Sequence, residues 1–268
     1  MAEAGKIQGT PITKDLFSIT GKVAVVTGGS RGIGLMIARG FVESGAKVYI
    51  SSRKKEVCDQ IAAELSRIGT CISVPADLST EEGLKELFKA VADREAALHI
   101  LVNNAGAAWG APLGKYPGSA WDKLHALNVK AIFLATQNFL PLLEKGVRPD
   151  DPARVINIGS IDGLRVPMVE NYAYSASKAA VHHLTRVLAQ ALGKRGITVN
   201  AIAPGPFESK MTEWMFSQMR DVIIAACPLG RIGTPEDIAG VAIYLASRAG
   251  AYLTGVVIPV DGGISTRP

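Results

Sequence analysis

The chain has 268 residues, enough for one large α/β domain, and its 48% apolar content can fill a sizeable core. Its net charge of +5 is carried by scattered Lys and Arg with no basic block, which argues against nucleic-acid binding and suits an anionic ligand such as a phosphorylated cofactor. Cys58, Cys71 and Cys227 are far apart and odd in number, fit neither a metal spacing nor a disulfide framework, and read as reduced thiols of a cytoplasmic protein.

Residues 1–20 read as a mobile or wrapping extension, without the apolar run of roughly 7–15 residues that a signal peptide needs. No stretch reaches the roughly 18 apolar residues of a membrane span, so no membrane partner is expected. From Gly21 onward, short β-branched runs alternate with helical patterns. The runs are Lys22–Thr27, Lys47–Ser51, Cys71–Val74, His99–Val102, Arg154–Ile158, Thr198–Ile202 and Val256–Val260. The amphipathic segments between them are Leu35–Ser44, Glu56–Ile68, Glu81–Ala92, Asp122–Leu143, Ala173–Leu192 and Pro235–Ala246. Strands that are apolar throughout belong in a parallel sheet covered on both faces, and their alternation with helices predicts one doubly wound α/β domain over residues 21–268.

The first strand runs through Thr27-Gly28-Gly29-Ser30-Arg31-Gly32-Ile33-Gly34 into a helix. Glycines there permit a tight turn and let backbone N–H groups approach a pyrophosphate. The spacing is G-x-x-x-G-x-G. The second strand ends Ser51-Ser52-Arg53-Lys54-Lys55, where NAD-binding folds place an acid on the ribose 2′-hydroxyl. No acid is present. Ser52 and Arg53, with Arg31 as a second cation, suit the 2′-phosphate of NADP(H).

Tyr174 and Lys178 are spaced i and i+4, so their heads share a helix face. A free phenol with a pKa of about 10 is a poor proton donor at neutral pH. A nearby ammonium is expected to lower that value and fit the tyrosine for moving a proton to or from a carbonyl oxygen. Ser160 follows the strand RVINIG at its carboxyl end, where ligands bind in open α/β sheets, and can hydrogen-bond the reacting oxygen. Tyr172 has no lysine four residues on.

These motifs resemble the short-chain dehydrogenase/reductase family, and the likeness runs from about Gly21 to Gly263. In order stand TGGSRGIG (Thr27–Gly34), AD-L (Ala76–Leu78), NNAG (Asn103–Gly106), LNV (Leu127–Val129), Ser160, YSASK (Tyr174–Lys178), PG (Pro204–Gly205) and VDGG (Val260–Gly263). The resemblance implies a seven-stranded parallel sheet and a catalytic tetrad of Asn128, Ser160, Tyr174 and Lys178. Tyr174 and Lys178 would also contact the cofactor, Lys178 at the nicotinamide ribose, and Asn128 would hold a water in a proton relay. Gly28, Ser30, Arg31, Gly32, Ile33 and Gly34 would cradle the cofactor. Asp77 and Leu78 would meet the adenine, and Asn104, Ala105 and Gly106 would line the groove. Pro204, Gly205, Phe207 and Ser209 would flank the nicotinamide, Ser209 standing where many relatives carry threonine. A homotetramer or homodimer through the Asp122–Leu143 and Ala173–Leu192 helices is also implied.

Within the family, Asn103–Ala111, Asp151–Ser160, Ser209–Thr212 and Gly250–Gly255 are similar to the 3-oxoacyl-(acyl carrier protein) reductase-like group, in particular its rhamnolipid-associated subgroup. That implies reduction of a 3-oxoacyl thioester to the 3-hydroxy form. A ketosteroid, quinone or other apolar ketone is the alternative substrate, and a cofactor-binding regulator without turnover the alternative class. Arg195 matches one position used to dock an acidic carrier, whereas Pro149-Asp150-Asp151 sets acid at the other. The segment Ser209–Ile224, with Met211, Trp214, Met215, Phe216 and Met219, reads as an apolar lid. His182 and His183 read as helix surface or subunit interface.

Overall fold

The computed structural model describes Thr13 and residues 15–266; most of the expected N-terminal extension, residues 1–12 and 14, lies outside them. Seven strands form one parallel sheet: β1 (Val23–Thr27), β2 (Lys47–Ser51), β3 (Thr70–Ser73), β4 (Ile100–Asn103), β5 (Ala153–Ile158), β6 (Ile197–Pro204) and β7 (Val257–Val260). Their order is β3-β2-β1-β4-β5-β6-β7. The chain builds outward from β1 to β3, then returns to the other side of β1 to start β4. That reversal opens a crevice beyond the carboxyl ends of β1 and β4.

Every residue of β1, β4, β5 and β6 is buried, which is why these runs carry no polar alternation. Within β1 the pleat divides the side chains between two cores. Ala24 and Val26 join α1 (Gly32–Glu43), α2 (Lys55–Leu65) and α8 (Pro235–Ala246) through Ile37, Phe41, Cys58, Ile238 and Leu245. Val23 and Val25 join α3 (Glu81–Ala92), α5 (Ala131–Lys145) and α6 (Tyr172–Leu192) through Leu87, Phe139 and Leu188. Ile19, upstream of Gly21, has no exposure and packs into the first core.

The expected long helix at Asp122–Leu143 is interrupted. α4 (Gly118–His125) passes into a wide π turn at Ala126–Lys130 before α5 begins. Taken as one run, Gly118–Lys145 is long and apolar enough by composition to cross a membrane. Its inner face is core, with Ile132, Ala135, Phe139, Leu142 and Leu143 buried. The segment expected as a lid becomes α7 (Glu213–Ala226), broken at Met219, whose φ of −144° and ψ of 32° are not helical.

At the amino end of the sheet lies a buried charge network. Asp151 accepts from Lys22 Nζ at 2.8 Å and from Arg154 Nη2 at 2.9 Å. Lys22 also donates to the Ala246 carbonyl, and Arg154 to those of Leu245 and Ser247. Asp151 is therefore a structural anion, which corrects its reading as a surface acid facing a carrier; only Asp150 of that pair is exposed. Asp151→Ala leaves two buried cations unpaired and is expected to destabilise the fold by about 3–5 kcal/mol. Urea unfolding should show the midpoint falling with an unchanged slope, whereas an unmoved midpoint refutes this account.

Candidate active site

The glycine turn is fastened to both neighbouring strands. Gly28 and Gly29 N–H donate to the Ser51 carbonyl at 2.8 and 3.3 Å. On the other side, Thr27 Oγ1 accepts from the Asn104 and Ala105 N–H groups, and Asn104 Nδ2 donates to the Thr27 and Gly28 carbonyls. This packing explains Gly34. A Cβ there would lie 2.3 Å from both Asn104 Nδ2 and the Gly28 carbonyl oxygen. Around this turn Ser30 is buried, Ile33 is half-buried and Arg31 is exposed.

The β2 end stands beside the turn. Ser52 Oγ is buried and makes no hydrogen bond among the described residues, while Arg53 is exposed next to it. A buried hydroxyl without a partner next to an exposed guanidinium is the donor set that a 2′-phosphate requires. The exit from β3 runs alongside, since Ala76 N–H donates to the Ser52 carbonyl. Asp77 is exposed, its carboxyl held below the usual range by hydrogen bonds from Ser79, with a smaller pull from Arg53. Leu78 is buried in the second core, so its side chain is spoken for.

Ser160, Tyr174 and Lys178 converge at the carboxyl end of β5. Ser160 has an extended backbone, and its Oγ accepts from the Asp162 N–H at 3.1 Å as the chain enters a short 3-10 turn. The Ser160 hydroxyl stands on the Tyr174 side of that turn, close enough to pull the phenol's pKa downward. Lys178 is buried, donates to the last β5 carbonyl, Ile158, at 2.8 Å, and holds its ammonium 5.6 Å from the Tyr174 ring centroid. Tyr172 turns away and donates to Glu170. Asn128 sits in the π turn, where its Nδ2 donates to the Ala107 carbonyl and to Ser177 Oγ, and its Oδ1 accepts from the Ala107 N–H. Ser177 Oγ in turn donates to the Tyr174 carbonyl. Asn128 thus clamps the loop after β4 onto the first turn of α6. A Cβ on Gly106 would come within 3.3 Å of Asn128 Oδ1 and 3.8 Å of Lys178 Nζ, so the glycine keeps that floor open.

The electrostatics depart from the expectation. Burial pushes the Tyr174 phenol up to about 12, opposed by the Ser160 hydroxyl and reinforced by the Asp162 carboxylate. Burial also brings Lys178 down to about 8. Burial therefore sets the direction of the Tyr174 shift, against the lowering expected from the neighbouring lysine. Tyr174 is instead a phenol that stays protonated across neutral pH, beside an amine whose charge is poised near it.

The segment after β6 folds back over the glycine turn. Ser209 Cβ lies 3.2 Å from where a Gly32 Cβ would stand, and Ser209 Oγ meets Thr212 Oγ1 at 3.0 Å. Pro204 ends β6, and the Gly205 N–H donates to the Val260 carbonyl. The Phe207 residue is 2% exposed, its ring packing in the first core against Gly233, and its carbonyl accepts from Thr212 Oγ1.

A protein-family model described as enoyl-(acyl carrier protein) reductase matches residues 27–265. The chain belongs to the short-chain dehydrogenase/reductase family. It is 50% identical over 249 residues to the rhamnolipids biosynthesis 3-oxoacyl-(acyl carrier protein) reductase of Pseudomonas aeruginosa, spanning 92% of this chain and 97% of that one. Its fold is similar to the Pseudomonas aeruginosa RhlG/NADP active-site complex, with a TM-score of 0.91 and coverage of 93% and 98%. It is also 34% identical to gluconate 5-dehydrogenase of Gluconobacter oxydans, over 94% of this chain and 97% of that one. Within this dehydrogenase/reductase frame the seven-stranded parallel sheet expected from the motifs is present with each strand in place.

Three residues that the motifs did not single out belong to the site's framework: Thr27, Ser177 and His182. Thr27 and Ser177 lay inside quoted motifs, but their hydroxyl contacts cross between loops and leave no local signal. His182 is 3% exposed, which corrects its reading as surface; His183 beside it is exposed. The available signal was spacing, since His182 lies four residues beyond Lys178 and shares the inward face of α6.

Proposed function

We propose that this chain reduces the 3-oxo group of an apolar acyl thioester to a 3-hydroxy group with NADPH. The gathering of Ser160, Tyr174 and the buried Lys178 at the carboxyl end of β5 carries this reading. The cofactor, when bound, supplies a hydride at the carbonyl carbon. Ser52 and Arg53 would hold its 2′-phosphate, with Arg31 nearby. Gly28, Ser30, Gly32, Ile33 and Gly34 would cradle its pyrophosphate. Asp77 and the Leu78 backbone would border the adenine. Asn104, Ala105 and Gly106 with Pro204, Gly205, Phe207 and Ser209 would form the two walls of the groove. Tyr174 gives its phenolic proton to the carbonyl oxygen while Ser160 donates a hydrogen bond to the same atom. Lys178, charged below about 8, stabilises the phenolate left behind. Both Asn128 amide protons are engaged, so its part in proton relay falls to its main chain.

The mouth of this site favours an acyl chain over a sugar acid. Trp109 and Leu113 after β4, Val166 and Met168 after β5, and Met211 and Trp214 after β6, the last at the start of α7, are all exposed apolar side chains in the segments that follow the carboxyl ends of these strands. The first two loops are joined by the Ala111 N–H to the Glu170 carbonyl. Arg195, the implied carrier-docking cation, is paired with Glu144 at 2.7 Å, which weakens the case for an acidic carrier over coenzyme A. A homotetramer is proposed through α4, α5 and α6, on whose outer faces Trp121, Phe133 and Val187 are exposed.

The test is NADPH consumption against 3-oxoacyl-coenzyme A thioesters of rising chain length, with 5-ketogluconate, a ketosteroid and a 2-enoyl thioester alongside. At about 0.8 kcal/mol per buried methylene, kcat/KM should rise roughly fourfold per CH2 until the mouth is filled. A flat length profile, or faster turnover of any of the other three, overturns the acyl reading.

A further inference from the structure

We propose that His182 is a positioning residue: its imidazole holds the backbone of Ser160 and so keeps the serine hydroxyl beside Tyr174. This rests on the reading of Ser160 and Tyr174 as the proton-handling pair. The Ser160 N–H donates to His182 Nε2 at 3.5 Å, a long bond across 22 residues of sequence. The loop is shaped around the ring. A Cβ on Gly159 would fall 2.1 Å from His182 Nε2, and one on Gly163 would fall 2.9 Å from Cε1. The two glycines bracket Ser160, so the imidazole fills the space beneath the turn that aims the hydroxyl.

An acceptor at Nε2 requires the neutral ring with its hydrogen on Nδ1. The surroundings enforce neutrality. Burial brings His182 down to about 4, opposed by the Gly163 backbone and reinforced by Lys178 and Arg186 from its own helix. The Nδ1 atom is buried and makes no hydrogen bond of normal geometry among the described residues, although the Gly163 backbone lies near the ring; Nε2 has the Ser160 N–H. From the turn opposite, the Asp162 carboxyl faces Tyr174 and raises its pKa, while the Ser160 hydroxyl lowers it. A Ser160 that drifts off Tyr174 therefore leaves a less acidic phenol. That consequence separates positioning from mere packing.

The experiment compares His182→Leu, which keeps bulk without an acceptor, with His182→Gln, whose Oε1 can reach the Nε2 position. His182→Leu should bind NADPH within about twofold of the parent and lose about tenfold in kcat, since a misplaced donor is felt in turnover more than in binding. In the alcohol-oxidising direction, the pH at which the rate rises should move upward, because the phenol has become harder to ionise. His182→Gln should recover most of kcat and return the pH profile. Parental kcat and profile in His182→Leu, or a glutamine variant no better than leucine, overturns the proposal. Two measurements on the protein without substrate stand apart from the reaction itself. Nitrogen-15 NMR should show the Nδ1–H tautomer at His182, and the Ser160 amide should exchange faster in His182→Leu than in the parent. An Nε2–H tautomer or unchanged exchange sinks the His182 contact. A parent chain without carbonyl turnover sinks the proposed reaction instead.

Discussion

Tyr174→Phe is expected to lose about three orders of magnitude in turnover while binding NADPH as tightly as the parent chain. A positioned general acid contributes roughly 10²–10⁴ in rate, and the substitution removes one oxygen from a site that otherwise keeps its shape. Ser160 keeps its bond from the Asp162 N–H, and Lys178 keeps the Ile158 carbonyl. The binding half of the result follows because the groove walls at Gly28–Gly34 and Asn104–Gly106 lie on other loops. Stopped-flow hydride transfer and a nicotinamide fluorescence titration measure the two halves separately. Turnover within a factor of about ten of the parent would remove Tyr174 from the chemistry.

The pH profile carries a second expectation of the same arrangement. With the phenol held up at about 12, Tyr174 stays protonated throughout the neutral range, so its ionisation does not limit reduction there. Lys178, brought down to about 8, loses its charge as pH rises through that value. Measured with NADPH as the varied substrate, kcat/KM for reduction should therefore be full below about 8 and fall above it. The limb belongs to the lysine, and Lys178→Met should abolish it along with most of the rate.

The scaffold of this site was readable because its determinants are local. The seven apolar runs marked the strands to within a residue or two at most ends. The order of the glycine turn, Ser160 and the Tyr174–Lys178 pair placed them at one end of the sheet. What escaped the sequence depended on distance between loops. The π turn around Asn128 breaks no propensity rule, since Ala126–Lys130 would suit an α-helix; what marks it is the clamp from Asn128 to Ala107 and Ser177, which the sequence does not show. Asp151 looked like loop acid until the fold brought Lys22 to it from 129 residues away. The pKa of Tyr174 could not be read from the neighbouring lysine, because burial of the whole pocket sets the sign. His182 needed only the helical period to be placed correctly.

Arg53→Glu should reverse the cofactor preference. The guanidinium has the fork geometry to take two oxygens of a 2′-phosphate, and charge-assisted bonds of this kind contribute about 1.5–3 kcal/mol each. Removing them and setting a carboxylate in their place adds repulsion, so NADPH affinity should fall by two orders of magnitude or more, as about 1.4 kcal/mol is tenfold. NADH lacks the phosphate and should bind no worse, and better where the introduced carboxylate can accept from the free 2′-hydroxyl. The position is fixed by structure, not loop chance: Gly28 and Gly29 N–H bind the Ser51 carbonyl, and Ala76 N–H binds that of Ser52, so residue 53 cannot drift from the groove. Asp77 is already close enough to feel Arg53, so the new carboxylate would meet a second one. Ser52 Oγ, buried and unpartnered among the described residues, is the secondary anchor; its removal should weaken NADPH by about tenfold or more, since a hydrogen bond to a charged group is worth about 1.5–3 kcal/mol. Fluorescence titrations of both nucleotides across a salt series measure all of this. In the parent chain, NADPH affinity should fall more steeply with salt than NADH affinity, and in Arg53→Glu the difference should vanish. A ratio of NADPH to NADH affinity that the substitution leaves unchanged would move the 2′-phosphate site away from β2, to the Arg31 side of the glycine turn.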